Sequence, residues 1–122
     1  MAVKRVTRTE LNRVTNYWQS VLRLKDWEVA VEMVPPSLIQ NQGFGVSYID
    51  LLSRRTTIHL AEYSGHSGSP AHDYSWQETL VHELLHCHFE PFMCDEGQDG
   101  NLAQEQALNM LASAFLSLHA GR

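Results

Sequence analysis

The sequence has no apolar run long enough to cross a membrane. A transmembrane helix needs about 20 consecutive apolar residues, whereas the apolar 43% of this chain is spread over short groups. No apolar segment follows the basic residues at positions 4 and 5, so we expect no secretory signal peptide. We therefore expect a cytoplasmic protein with no membrane partner.

Cysteine and positive charge are both scarce. Two cysteines are too few for the disulfide framework of a small secreted domain, which favours a reduced compartment. Nine Lys and Arg against 14 Asp and Glu give a formal net charge of −5, which argues against nucleic acid as a partner. The 122 residues also lack internal repeats, heptads and linkers, so we expect a single small domain spanning residues 1–122.

Histidine, in contrast, is abundant, with seven in the chain. Two of them form the motif His82-Glu83-Leu84-Leu85-His86, whose spacing on a helix places both imidazoles on one face. Glu83 lies about 100° round the helix from His82, which suits a general base for a metal-bound water. The motif therefore predicts a zinc site with Glu83 as the catalytic residue.

The residues around the motif predict the helix that it requires. Ser75 and Glu78 fit a Ser-x-x-Glu capping box, so the helix should begin after Ser75. Pro91 disfavours helical angles in the residue before it, so the helix should end near Phe89 or Glu90. The motif is therefore expected in the middle of a helix.

Two further helices and three strands complete an α+β prediction. Thr7 and Glu10 form a capping box for an N-terminal helix. Asn101 is expected to cap a last helix running to about His119, and its wide apolar arc predicts a central position. Alternating patterns predict strands over residues 27–34, 44–52 and 55–62, with the last two in an antiparallel hairpin of a three-stranded mixed sheet.

A catalytic zinc ion has three protein ligands and one open position, so a third ligand is needed. Glu105 is the best candidate, because it shares a face of the last helix with Leu102, Asn109 and Ala112. A carboxylate on that face needs a partner, which a metal ion would provide. Asn109 is a candidate to orient the ligand through a hydrogen bond.

Other side chains stay open as ligands or as partners of ligands. Glu90 lies one turn beyond His86 and is a reserve ligand or a partner of that imidazole. Cys87 lies about 140° round the helix from His82, so it and Cys94 are expected to be plain thiols. The remaining candidates are histidines of the loop before the motif and of the chain end: His66, His72 and His119.

The motif together with a downstream helical glutamate resembles the zincin metallopeptidases, specifically the gluzincin branch. The small size resembles the minigluzincins and related small phage or prokaryotic peptidase domains. The spacing Glu105-x-x-x-Asn109-x-x-Ala112 is similar to the ligand helix of peptidases that cleave phage and stress repressors. The resemblance implies a zincin-like fold, Zn²⁺ held by His82, His86 and Glu105, and hydrolysis of a peptide or protein substrate.

The resemblance also implies roles in the reaction. Glu83 would activate the zinc-bound water, and the third strand would be the edge strand that binds an extended peptide. Larger gluzincins stabilise the oxyanion with a downstream His or Tyr, and this sequence departs from that pattern. The candidates are Tyr63, His72 and Tyr74.

Two alternative functions remain open from the sequence. In the first, the chain is a non-catalytic module in which zinc stabilises a small fold that binds another protein. In the second, it is a SprT-like peptidase domain, which requires a histidine as third ligand, with His119 as the candidate. The sequence predicts neither the cleavage specificity nor the oligomeric state.

Overall fold

A computed structural model of the chain describes residues 6–39, 43–62, 75–92 and 100–120. These residues form three helices and three strands: α1 (Arg8–Val21), β1 (Glu28–Val34), β2 (Gly45–Asp50), β3 (Arg55–Ala61), α2 (Trp76–Phe89) and α3 (Asn101–Ala120). Short 3₁₀ turns follow β1 and α2. The predicted α+β architecture is confirmed, and no helix in the described ranges is long and apolar enough to cross a membrane.

The predicted start of α1 is confirmed. The Thr7 hydroxyl accepts a hydrogen bond from the Glu10 amide at 3.1 Å, which satisfies one of the free amides of the first turn. At the other end of α1, the buried Gln19 amide donates to the carbonyl oxygens of Leu24 and Trp27, at 3.0 and 2.8 Å. These bonds hold the tight connection that leads into β1.

The sheet is mixed, in the order β1-β3-β2. β3 runs parallel to β1 and antiparallel to β2, so Ile58 lies opposite both Val31 and Ser47. The hairpin prediction is confirmed, but the expectation that the third strand is an edge strand is wrong. β3 has neighbours on both sides, and the edge strands of the described sheet are β1 and β2. Alternation of apolar residues determines which face of a strand is buried, but it does not determine which strands are neighbours.

The central helix of the fold is α2. Its apolar side chains Leu80, Val81 and Leu84 are fully buried against the sheet and the flanking helices. His88, at the end of α2, is bonded through Nε2 to the Leu22 carbonyl oxygen at 2.6 Å, which joins α2 to the end of α1. The middle of α2, where the motif lies, is therefore fixed from several directions.

The prediction that α3 is central is wrong. Only Leu108 and Ala112 of this helix are buried, whereas Leu102, Met110 and Leu118 are about 70% exposed. Apolar residues occur on every side of α3, and only one stripe of it contacts the rest of the fold. The helix also begins at Asn101 itself, with the Gly100 carbonyl accepting from the Gln104 amide, so the predicted Asn101 cap is wrong by one residue.

The two edges of the described sheet differ. At the β1 edge, Arg8 of α1 donates a hydrogen bond to the Val31 carbonyl oxygen and forms an ion pair with Glu32, both at 2.7 Å. Arg8 therefore occupies a backbone acceptor that another strand would otherwise use. The β2 edge lies beside the N-terminal half of α2 and faces the motif.

Candidate metal centre

The motif lies in the middle of α2, as predicted. The Ser75 hydroxyl accepts a hydrogen bond from the Glu78 amide at 3.2 Å and starts the helix directly before Trp76. From that start, His82 and His86 follow one turn apart on the same face. Their ring centroids are 5.1 Å apart, so the two imidazoles can reach one small ion.

Glu105 of α3 lies opposite this pair of imidazoles. Its Oε1 is 3.1 Å from Nε2 of His82, and its Oε2 is 3.5 Å from Nε2 of His86. One possible ligand atom from each of the three residues lies within 4.8 Å of the other two. Two imidazole nitrogens and one carboxylate are the donor set of several catalytic zinc sites. The three residues therefore fit a divalent metal ion.

Burial favours the neutral imidazole that a metal ion requires. The pKa of His86 is lowered, mainly because burial penalises the charged ring, and His82 lowers it further. The Glu105 carboxylate acts in the opposite direction and raises that pKa. A neutral ring binds a metal ion without first losing a proton.

Glu83 lies beside this group and is only 6% exposed. Burial raises its pKa above the usual glutamate range, and the Glu105 charge adds to the rise. His82 and a hydrogen bond from the Ser47 hydroxyl oppose it. One Glu83 oxygen is 4.0 Å from His82 Nε2. The carboxylate is thus next to the three donor atoms but outside their group, as predicted for a general base.

A cavity of about 550 Å³ opens beside the centre, between the start of β2, the first turns of α2 and the first turns of α3. Its lining is Gly43, Phe44, Gly45, Ser75, Glu78, Thr79, His82, Glu83, Glu105 and Asn109. A Cβ on Gly45 would lie 2.7 Å from Cγ2 of Thr79. Glycine is therefore needed where β2 approaches α2, and Asn109 lines the cavity one turn beyond Glu105.

The competing ligand candidates that the structure describes lie elsewhere. His119 contacts α1 instead, with Nδ1 3.1 Å from the Tyr17 hydroxyl and its ring against Trp18. Cys87 is buried, and burial raises the pKa of its thiol to about 12. Glu90 comes within 3.9 Å of His86 Nδ1, which fits a partner of that imidazole better than a ligand.

Several sequence predictions concern residues outside the described ranges: Tyr63, His66, His72, Tyr74 and Cys94. Within the described ranges, His82, His86 and Glu105 form the only group of three metal-ligating side chains. Sequence reasoning missed Ser47, whose hydroxyl bonds to Glu83. The only available signal was its place on the inward-facing side of an alternating strand, opposite the buried Ile58.

Comparisons of the chain with models of known protein families, with curated proteins and with solved structures gave no match.

Proposed function

We propose that the chain is a zinc-dependent metallopeptidase with a zincin-like fold. The observation that carries this proposal is the approach of Glu105 to both motif imidazoles, at 3.1 and 3.5 Å, with the buried Glu83 alongside. Three donor groups, an adjacent carboxylate and an open cavity together suit the hydrolysis of a polarised carbonyl compound.

The metal ion and the protein would contribute different parts of the chemistry. Zinc held by His82, His86 and Glu105 would supply Lewis acidity and lower the pKa of a water molecule to about 7. Glu83 would accept the proton of the attacking water and deliver it to the leaving amine. Its raised pKa suits the first step, because a more basic carboxylate accepts a proton more readily than an ordinary glutamate does.

The edge strand β2 supports a peptide as the substrate. In the described sheet β2 pairs only with β3, so its other edge offers backbone donors and acceptors to an added strand. The start of this strand, at Gly45, lines the cavity together with His82 and Glu83. We therefore transfer to β2 the substrate-binding role that the sequence resemblance gave to the third strand.

The test combines metal analysis with peptide hydrolysis. Glu83→Gln should keep one zinc ion per chain and lower kcat by about 10²- to 10⁴-fold, as the loss of a general base does. Glu105→Gln should weaken zinc binding by at least about 100-fold, because even partners of metal ligands contribute about 10- to 100-fold. Equal turnover by wild type and Glu83→Gln would exclude Glu83 as the base.

Two matched variants separate this proposal from a SprT-like site. Glu90→Gln changes the glutamate near His86 Nδ1, and His119→Ala removes the histidine that contacts α1. Both should retain zinc at full stoichiometry. Loss of zinc in His119→Ala, with zinc retained in Glu105→Gln, would favour the SprT-like assignment.

A non-catalytic zinc-stabilised binding module is the second candidate. One observation favours it: in the described part of the cavity lining there is no tyrosine, and His82 is the only histidine. Among its described residues, the lining thus has no side chain of the type that stabilises an oxyanion in larger gluzincins. A module of this kind would bind zinc and show no hydrolysis of any peptide, with Glu83→Gln behaving as wild type.

A further inference from the structure

The cavity beside the metal centre is acidic. Three carboxylates line it, those of Glu78, Glu83 and Glu105, and no lysine or arginine belongs to the described lining. Two of the three have assigned partners, because Glu105 faces the imidazoles and Glu83 accepts the Ser47 hydroxyl. A divalent ion would offset two negative charges and leave one carboxylate without a counter-charge.

Of the three carboxylates in the lining, Glu78 is the one that has no partner of this kind. It lies four residues before His82, so the two side chains are neighbours on one face of α2, with Cβ atoms about 5–6 Å apart. Glu78 is half-buried. Within the described ranges, no ion pair involves it. A ligand that reached the metal centre along the cavity would pass this carboxylate.

The capping role of Glu78 needs no charge, so the helix dipole is the only local interaction that favours a carboxylate there. The contact that starts α2 runs from the Glu78 amide to the Ser75 hydroxyl, and this contact needs no particular side chain at position 78. Glutamine fits the same capping position as glutamate. Position 10 of α1 is equivalent, because the Glu10 amide bonds to the Thr7 hydroxyl in the same way. The chain therefore contains a matched glutamate outside the cavity lining.

We propose that Glu78 is a specificity-determining residue that binds a cationic group of the substrate beside the scissile bond. This inference rests on the proposed peptidase function, since it assumes that a peptide occupies the cavity. The cation is either a lysine or arginine side chain or the free α-amino group of a peptide. The cavity of about 550 Å³ is large enough for such a group together with the adjoining backbone.

The test measures binding as well as turnover. Zinc-loaded Glu83→Gln protein is titrated with a peptide that carries one lysine and is blocked at both ends, and with its norleucine analogue. The lysine peptide should bind more tightly, and adding Glu78→Gln should lower its affinity about fivefold, the upper range for a partly exposed ion pair. The affinity for the norleucine peptide should stay unchanged. Glu78→Lys should reverse the preference towards a blocked glutamate peptide.

Matched controls separate charge recognition from helix stability and identify the source of the cation. Glu10→Gln makes the same change at the equivalent position of α1 and should leave both affinities unchanged. A norleucine peptide with a free N-terminus tests the α-amino group. If it binds more tightly than its acetylated form and this gain requires Glu78, the cation is the chain terminus, whereas a gain confined to lysine identifies a side chain.

The inference and the proposed function fail in different ways. Equal affinities of the charged and neutral peptides, or no binding of either, would overturn the role of Glu78. Hydrolysis of neutral peptides by the wild type would then leave the peptidase proposal intact. Conversely, Glu78-dependent binding of cationic peptides without hydrolysis by the wild type would support the cation site and exclude the peptidase.

Discussion

Ser47 on the edge strand is a side-chain hydrogen-bond partner of Glu83 on the central helix and lowers the pKa of its carboxyl group. This bond connects the strand proposed to hold the substrate to the residue proposed to move protons. The same strand can thereby position the peptide and orient the base.

We expect Ser47→Ala to lower kcat about tenfold with little change in KM, since hydrogen bonds to charged groups contribute about 1.5–3 kcal/mol. Ser47→Thr keeps the hydroxyl and should restore most of the rate. Ser53→Ala is the matched control, because that hydroxyl bonds to Asp50 in the turn between β2 and β3. Steady-state kinetics on a blocked peptide check the prediction. A rise in KM with kcat unchanged would contradict an orienting role.

Glu83→Gln should stabilise the metal-free protein at neutral pH. Burial raises the pKa of Glu83 in the folded chain above the ordinary value of 4.5. Between those two pKa values the folded state holds a proton that the unfolded state has lost, so the free energy of unfolding falls as pH rises. At pH 7 burial of this carboxyl group therefore penalises folding, and replacing it with the neutral amide should add about 0.5–2 kcal/mol to the free energy of unfolding.

The measurement for Glu83→Gln is urea unfolding in a chelator at pH 7 and at pH 4. The advantage of the variant should shrink at the lower pH, because there both folded and unfolded states of the wild type carry the proton. An equal or lower free energy of unfolding for the variant at pH 7 would show that burial of Glu83 carries no such cost.

Gly45→Ala should destabilise the protein by about 1–3 kcal/mol, as overpacking does. The added Cβ would lie 2.7 Å from Cγ2 of Thr79 and 3.1 Å from the His59 carbonyl oxygen. Thr79→Ser removes Cγ2 but keeps the hydroxyl that donates to the Ser75 carbonyl, so it should relieve part of the loss. Gly43→Ala is the control, since among the described residues its Cβ would meet only the Gly45 carbonyl oxygen, at 3.8 Å.

A double-mutant cycle on thermal unfolding checks the Gly45 prediction. Gly45→Ala should lower the free energy of unfolding less in the Thr79→Ser background than in the wild type. Gly43→Ala should have a free energy of unfolding within about 0.5 kcal/mol of the wild-type value. Additive effects of Gly45→Ala and Thr79→Ser would mean that the contact with Cγ2 is not the cause of the loss.

Cys87 should resist alkylation in the folded protein. Burial raises the pKa of its thiol from 9.0 to about 12, and the Glu90 and Glu83 charges add to the effect. This rise in pKa corresponds to roughly a thousandfold less thiolate at pH 8 than an unperturbed cysteine would have. Mass spectrometry after iodoacetamide treatment of a Cys94→Ser variant gives the rate at Cys87, with the urea-unfolded chain as reference. Rapid labelling that zinc suppresses would instead make Cys87 a metal ligand.

The sequence was most informative where a local contact decides the structure. The Thr7 and Ser75 caps, the end of α2 at Phe89 and the hairpin of β2 and β3 all depend on neighbouring residues. Glu105 could also be identified, because a carboxylate on a buried stripe of an apolar helix needs a partner.

The sequence was least informative where distant segments meet. The parallel pairing of β1 with β3 brings Val31 next to Ile58, and no local pattern specifies that neighbour. The apolar residues of α3, Leu102 and Leu118 among them, predicted a central helix, yet burial depends on how much surface the other elements can cover. The contact of Ser47 with Glu83 likewise depends on the placement of β2 against α2.

Arg8 makes the two edges of the described sheet unequal in their ability to pair with an added strand. Arg8 donates a hydrogen bond to the Val31 carbonyl oxygen and pairs with Glu32, so this backbone acceptor of β1 is not open to an added strand. An added strand would therefore pair more readily with β2, the edge strand beside the metal centre. Under the proposed function, a single arginine 74 positions before the first motif histidine would thus favour the strand edge that lies beside Glu83.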